Sequence, residues 1–392
     1  MTQHQSEIKE PTIYLIAGEP SGDALGASLM NSLNIQFGGK VRFCGVGGDK
    51  MTKEGLRSLF PMKDITLMGF IEILPHIPRI LMKIRMVIRD IKKKRPDCLV
   101  TIDSPEFNFR VGRVIKRKVN IPIIHYVAPS VWAYRPNRAR KISKFLDHIL
   151  VLFPFEPPYF VDVGIPTTFV GHPLCEKIKS FEQRDHKNFI TSIKADNDDI
   201  FISVLPGSRV GEINKHIELF RKVIEKLSLK YPKLKVLMPV AEGLEDEIKS
   251  LIISWPVPVH LIIGENDKYT AFHSSKVALA VSGTVTLELG LCNVSMVVAY
   301  RANFISAAIA KKIVNIENIS LSNIIIGQAI APEFLQEDAN VYNISKAIEK
   351  LLDSELEREN QLKHWRLLRR KLTAGDEPAS KYATNAILRL IN

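Results

Sequence analysis

Twice along this chain a compact apolar run ends in a glycine-bearing loop and resumes as a helical pattern. Ile13-Tyr-Leu-Ile-Ala-Gly18 passes through Glu19-Pro-Ser-Gly-Asp23 into Ala24 to Leu33. Ile200-Phe-Ile-Ser-Val-Leu205 passes through Pro206-Gly-Ser-Arg-Val-Gly-Glu212 into a helix that the pattern starts near Asn214. Short apolar runs bounded by turn residues read as buried strands, and strand–loop–helix units in series read as a parallel α/β sheet. In such sheets ligands bind where loops leave the carboxyl ends of the strands. The expectation is α/β, with two Rossmann-like parallel-sheet domains facing a central cleft. At 392 residues the chain is long for one core, which also favours two domains. The expected boundaries are 1–174, a polar and charged linker at 175–199, and 200–375. A C-terminal helix at 376–392 would pack back on the first domain or on a partner.

Further strands are read at Val41 to Asp49, Cys98 to Asp103, Ile121 to Val127, Lys235 to Val240, Val259 to Gly264, Val277 to Ser282 and Val294 to Tyr300. Asn323 to Ile330 reads as another strand, and Asn303 to Lys312 as a helix. Neither a Walker A lysine nor a full G-x-G-x-x-G follows any strand, so the ATPase and NAD readings lose their best support.

The loop residues carry the chemistry. Ser282-Gly-Thr-Val-Thr-Leu-Glu288 reads as a helix start, where unpaired amides and the peptide dipoles favour an anion. A carboxylate just inside such a site can accept from sugar hydroxyls; an ordinary capped helix accounts for the same residues. Arg209, in a glycine-bearing loop, adds a guanidinium able to grip two phosphate oxygens. Asp103 ends a strand in Asp103-Ser-Pro-Glu-Phe-Asn108 and can act as a general base, or it can cap the helix that follows. Glu19, Ser21, Gly22 and Asp23 hold the equivalent loop after the first strand. Trp132, Tyr134, Arg135, Arg138 and Arg140 gather aromatics and cations, while His125 reads as a core histidine.

The net charge of +12 sits in one place. From Arg79 to Lys144 there are 18 Lys/Arg against 4 Asp/Glu, so that segment alone carries +14. Such a surface suits nucleic acid, phospholipid headgroups or a phosphorylated substrate. Within it and just before, Met68 to Lys94 interleaves many large aliphatics with Arg79, Lys83, Arg85, Arg89 and Lys92 to Lys94. An amphipathic helix with its stripe in the core explains the pattern. So does a basic apolar element in a membrane interface, touching lipid through Ile77, Ile80, Leu81, Ile84, Arg85 and Val87. No uncharged apolar run reaches the ~18 residues of a transmembrane helix. Four scattered cysteines and a polar, partly acidic N-terminus argue for a reducing, cytoplasmic setting and against a zinc site.

Taken as an ordered set, several motifs point to one family. They are Ala17-Gly-Glu-Pro-Ser-Gly-Asp23, Gly45-Val-Gly-Gly48, Ile102-Asp-Ser-Pro-Glu-Phe-Asn108 and Val127-Ala-Pro-Ser-Val-Trp-Ala-Tyr134, then Phe153-Pro-Phe-Glu156, Gly171-His-Pro173, Leu205-Pro-Gly-Ser-Arg209, Ser282-Gly-Thr284 with Glu288, and Asn323-Ile-Ile-Ile-Gly327. From Ile13 to about Asp338 the chain closely resembles the lipid-A-disaccharide synthases of Gram-negative bacteria. The resemblance implies the GT-B glycosyltransferase fold and a reaction between two acylated sugars. UDP-2,3-diacylglucosamine would donate to 2,3-diacylglucosamine 1-phosphate (lipid X) with inversion, giving a β-1,6-linked disaccharide 1-phosphate and UDP. It implies no cofactor and no metal. Glu288 would hold the UDP ribose, and Gly207, Ser208, Arg209, Ser282, Gly283, Thr284 and Thr286 would surround the nucleotide. Asp103 would be the base for the acceptor 6-hydroxyl, with Glu19, Ser21, Gly22 and Asp23 shaping the facing wall. Ser104 stands where many relatives carry Ala, and Glu106 where Asp is common; neither change removes Asp103.

The implied place is the cytoplasm, peripherally on the inner membrane, with a homodimer left open. A UDP-N-acetylglucosamine 2-epimerase or another GT-B transferase would share the fold but would not need the apolar basic segment. A nucleic-acid partner is not expected, because the charge is interleaved with large aliphatics and no recognised binding module is present.

Overall fold

The computed structural model describes residues 10–66, 77–133, 137–181, 186–196, 198–241, 243–302 and 318–391. The chain divides into two compact units, 1–173 with 373–392, and 174–372.

The first unit runs β1 (Thr12–Ala17), α1 (Pro20–Gln36), β2 (Arg42–Val46), α2 (Asp49–Lys53), β3 (Arg57–Ser58), α3 (Ile77–Lys94), β4 (Cys98–Ile102), α4 (Pro105–Lys118), β5 (Ile123–Tyr126), α5 (Asn137–Ile142), β6 (His148–Val151), α6 (Pro157–Val161) and β7 (Thr167–Phe169). Its sheet has the order β3-β2-β1-β4-β5-β6-β7, and every pairing is parallel. The strands lack alternation because both faces are covered. Leu15, Val100 and Ile102 pack with Leu29 and Leu33 of α1. Tyr14, Ile16 and Leu99 pack with Val87 of α3 and with Phe107 and Val111 of α4. The order reverses between β1 and β4, so the exits of those two strands lie side by side.

The second unit runs α7 (Leu174–Lys179), α8 (His186–Ser192), β8 (Ile200–Leu205), α9 (Val210–Ser228), β9 (Leu234–Pro239), α10 (Glu245–Ile252), β10 (Val259–Ile262), α11 (Glu265–Ser274), β11 (Val277–Ala280), α12 (Thr284–Leu291), β12 (Met296–Tyr300), α13 (Leu321–Ile326), β13 (Glu333–Leu335), α14 (Val341–Asp353) and α15 (Glu355–Leu372). Its order, β10-β9-β8-β11-β12-β13, repeats the first unit's logic, with the reversal between β8 and β11. The last helix, α16 (Ala379–Ile391), belongs to the first unit and packs on α1.

Several sequence expectations change. Residues 175–199 are not a bare linker: α7 packs on α12 and α8 on α11, inside the second unit. α9 starts at Val210, four residues before the expected Asn214; extended Arg209 holds the N-cap position and its carbonyl accepts from the Glu212 and Ile213 amides. Asn323 to Ile330 is not a strand. Ile324 to Ile326 sit in α13, capped by Ser320 and ended by left-handed Gly327. Asn303 to Lys312 lies outside the described residues, as do residues 67–76 and the side chain of Ile77.

The membrane stripe is the largest correction. Ile80, Ile84 and Val87 are 4, 6 and 0 % exposed and belong to the core under the sheet. The helical period puts them, with Ile91, on one inward stripe. Leu81 and Met82 are 43 and 51 % exposed, beside exposed Arg85. Even Lys83 turns in, pairing with Asp64 at 2.7 Å and lying over the Phe60 ring.

Candidate active site

In the second unit, the loops leaving β8 and β11 enclose a cavity of about 600 Å³. Gly207, Ser208 and Arg209 line one side; Ser282, Gly283, Thr284 and Glu288 line another. The sequence-predicted nucleotide residues thus share one space, apart from Thr286. That side chain is buried, and its Oγ1 donates to the Gly283 carbonyl at 2.9 Å, so it braces the helix start instead of meeting a ligand. The Ser282 hydroxyl likewise faces its own fold, donating to the Ile319 carbonyl.

Local chemistry suits an anion. The first-turn amides of α9 and α12 have few partners within their own helices, and among the described residues exposed Arg209 forms no ion pair. Gly207 has φ 143°, and a Cβ there would lie 2.5 Å from Glu212 Cγ, so only glycine fits the loop. Glu212 Oε2 accepts from the Ser208 amide at 2.9 Å, occupying a donor that an incoming phosphate would want. The same residue's carbonyl takes the Nδ1 proton of buried His216, whose Nε2 accepts from the Arg301 amide. Both ring nitrogens are thereby used by a neutral imidazole, and burial holds that histidine's pKa below its usual value.

Glu288 lies deeper. Its Oε1 takes the Lys268 ammonium at 2.8 Å and the Tyr269 hydroxyl at 3.1 Å. Two bonds on one oxygen fix the carboxylate in orientation. Burial, with Glu288 beside it, raises the Tyr269 pKa, so that phenol stays a donor.

In the first unit, β4 ends in strain. Asp103 and Ser104 are both left-handed, with φ 50° and 43°, and Val127 at the exit of neighbouring β5 has φ 77°. Non-glycine residues in this region cost about 1–3 kcal/mol each unless the surroundings enforce them. Here Asn108, from the first turn of α4, donates through Nδ2 to the Ile102 and Asp103 carbonyls at 3.2 and 2.7 Å. The β1 exit passes hard against the same turn: a Cβ on Gly18 would lie 2.5 Å from Ser104 Oγ. Burial pushes the Asp103 carboxyl above the usual range, while the Ser104 amide and Ser21 hydroxyl pull it partly back. A raised, oriented carboxylate at a strand exit is the arrangement a general base requires.

The facing loop divides. Ser21 is exposed beside Asp103, Glu19 is half-buried ahead of α1, and Gly22 is buried. Asp23 departs from expectation. It is 4 % exposed and accepts from the amides of Gly48, Lys50 and Met51, capping α2. A carboxylate already holding three amides is a brace. His125 is a core histidine, bonded through Nδ1 to Thr101, with its pKa lowered to about 3 by burial.

Other residues support these loops, some of them met above only as members of a motif. Lys268 and Tyr269 orient Glu288 from α11, and nothing in their local pattern marks them. Buried Asn323 ties the Ile330 and Ala331 amides to Glu333, which also takes the amides of Ile319 and Ser320. That network holds the backbone on which Ser282 rests. Glu156, at the exit of β6, is buried; burial raises its pKa to about 7, against the Phe153 amide bound at 3.0 Å. Half-buried Phe153 and Phe155 stack beside it, with Trp132 edge-on to Phe155.

Comparison with known proteins agrees with this geometry. A family model described as lipid-A-disaccharide synthetase matches residues 13–387. A lipid-A-disaccharide synthase of Rhodospirillum centenum is 42 % identical over 98 % of this chain and 96 % of its own. One from Nitrobacter winogradskyi is 40 % identical over 96 % and 94 %. Among solved structures, a UDP co-structure of S. aureus MnaA aligns with TM-score 0.66 at 16 % identity, covering 97 % of both chains. Acinetobacter baumannii MurG aligns with TM-score 0.59 at 13 % identity, over 97 % of this chain and 99 % of its own. The structural likenesses establish the fold, which is GT-B, and the sequence relatives establish the kinship. The chain belongs to the lipid-A-disaccharide synthetase family, and is a hexosyltransferase of lipid A biosynthesis.

Proposed function

We propose that the protein transfers 2,3-diacylglucosamine from UDP to the 6-hydroxyl of 2,3-diacylglucosamine 1-phosphate (lipid X). Asp103 takes the hydroxyl proton, the oxygen attacks the anomeric carbon, and the bond to the diphosphate breaks with its electron pair leaving on UDP. One displacement inverts the anomeric centre, giving the β-1,6 disaccharide 1-phosphate. Arg209 and the helix-start amides of α9 and α12 neutralise the charge that grows on the diphosphate. Glu288, oriented by Lys268 and Tyr269, accepts from the ribose hydroxyls. As the diphosphate arrives, the Ser208 amide exchanges Glu212 for a phosphate oxygen.

The observation that carries this reading is one cavity joining Arg209, which forms no ion pair among the described residues, two helix starts and an oriented Glu288 at a topological switch point. Peripheral attachment to the cytoplasmic face of the inner membrane completes it. Exposed Leu81 and Met82 with Arg85 support that part, and no helix among the described residues is long and apolar enough to cross a membrane.

The test is incubation with both acylated sugars and mass detection of the disaccharide and UDP. Failure to form it, together with acceptor-free epimerisation of UDP-N-acetylglucosamine, would replace transferase by epimerase.

A further inference from the structure

A second cavity, of about 530 Å³, lies within the first unit between α4 and α5. Arg110, Arg113, Arg138 and Lys141 line it, with Glu106 as the one carboxylate among its lining residues. Arg138 pairs with Glu106 at 2.8 Å, which leaves Arg110, Arg113 and Lys141 without a carboxylate partner among the described residues. Arg110 and Lys141 are exposed. Two guanidiniums are already held in place: Arg138 stands 5.3 Å over the Phe109 ring, and Arg113 5.6 Å over Phe145. Phe109 and Ile142 form an apolar floor, both buried. Like charges converging on one groove repel one another, and a multiply charged oxyanion relieves that repulsion.

We infer that this groove holds the phosphate of the acylated acceptor sugar; the inference rests on the acceptor proposed above. Position supports it. The groove begins at Pro105, two residues beyond Asp103, and Arg110 follows at about 8 Å along the helix axis. The 6-hydroxymethyl and the 1-phosphate are carried by C5 and C1, the two carbons that flank the ring oxygen, so both groups project along one side of the sugar with the ring oxygen between them. A ring held with its hydroxyl at Asp103 can therefore reach the groove along α4 with its phosphate. Three cations suit a phosphate monoester, which carries close to two charges near neutral pH. The acyl chains also find a compatible layer, since α3, with exposed Leu81 and Met82, packs directly on α4. The phospholipid headgroup of a membrane offers related chemistry, and the experiment separates the two.

Arg110→Gln, Arg113→Gln and Lys141→Gln, combined in the full chain, change exposed side chains and spare the core. Wild type and variant are assayed in neutral detergent micelles with the phosphorylated acceptor and with its 1-hydroxyl analogue. Wild type should prefer the phosphorylated acceptor by about a hundredfold in kcat/KM, two charge-assisted bonds discounted for exposure. The variant should lose that preference while keeping wild-type KM for the UDP-sugar and wild-type kcat/KM for the analogue. An unchanged preference overturns the assignment. So does a variant that keeps the preference but no longer sediments with phosphatidylglycerol vesicles, which would give the groove to headgroups. If wild type forms no disaccharide at all, the transferase reading itself falls; if it does, only the groove is in question.

Discussion

The two units place their sites at the same topological point and build them from opposite materials. In the second unit the exits of β8 and β11 are relaxed by glycine: Gly207 and Gly283 take the positive φ values, and the side chains around them line the cavity. In the first unit the exits of β4 and β5 give positive φ to Asp103, Ser104 and Val127, where a side chain costs energy. A loop that must wrap a diphosphate gains from having no Cβ, because backbone amides are its ligands. A loop that must aim one carboxylate needs that side chain, whatever the backbone strain, and Asn108 supplies the restraint. On the proposed reading, the same strand order yields a binding half and a reacting half.

The sharpest way to break this comparison is Asp103→Asn. If the first unit supplies the base, kcat should fall about 10³-fold while UDP affinity stays within about twofold. Loss of UDP binding in step with kcat would make Asp103 a structural residue. The wild-type profile carries a second signature. Because burial raises the Asp103 pKa, the proton-accepting form is lost as pH falls through a value above the ordinary carboxylate range, so kcat should drop earlier on acidification than for an exposed carboxylate.

Next in size is Glu156→Gln, which asks whether the first unit carries the pH sensitivity of the fold. Glu156 titrates near 7 when folded and near 4.5 when unfolded, so the native state holds a proton that the unfolded state has lost. Stability from this group is fully present below pH 4.5 and declines as pH rises to 7, by up to about 3 kcal/mol. Gln cannot ionise and can still accept from the Phe153 amide. Unfolding free energies from urea titrations at pH 5 and pH 8 should differ by about 2.5 kcal/mol less in the variant than in wild type. Equal differences would remove Glu156 from the account.

Which residues were legible in the sequence follows from how local their causes are. The parallel strands declared themselves because burial on both faces leaves continuous apolar runs such as Ile13 to Ala17. Asp103, Arg209 and Glu288 stood out because they sit at strand exits, where topology alone sends ligands. Asp23 and Thr286 occupy similar positions and turned inward. What decides is a partner elsewhere, the Gly48 to Met51 amides for one and the Gly283 carbonyl for the other. Asn323 was misread for a related reason. Three consecutive isoleucines favour a strand locally, and the Ser320 cap with the Glu333 network imposes a helix. On α3 the surplus of aliphatics hid which stripe was core, since burial chooses among stripes that composition makes nearly equal.

Glu288→Gln probes the binding half. It keeps the shape, removes the charge that Lys268 pairs with, and weakens acceptance from a sugar diol. KM for the UDP-sugar should rise about tenfold to thirtyfold with kcat nearly unchanged, as expected for one charged hydrogen-bonding group. A fall in kcat at constant KM would instead move Glu288 to the reacting half, and the division of labour would fail.

The smallest effect concerns the outer face of α3, where the two readings of one helix can be set against each other. Leu81 and Met82 are already about half exposed, so a membrane can cover only the remainder of each side chain. At roughly 25 cal/mol per Å², that is about 1 kcal/mol per residue, or about fivefold in vesicle partitioning for Leu81→Ser or Met82→Ser, with kcat in detergent unchanged. Ile84→Ser should behave in the opposite way. Its side chain packs with Val87 and Phe107 under the sheet, so the cost falls on folding, and the melting temperature drops while the exposed face stays intact. If Ile84→Ser released the protein from vesicles without loss of stability, α3 would have to turn over on lipid. If Leu81→Ser changed neither property, the exposed pair would be surface and nothing more.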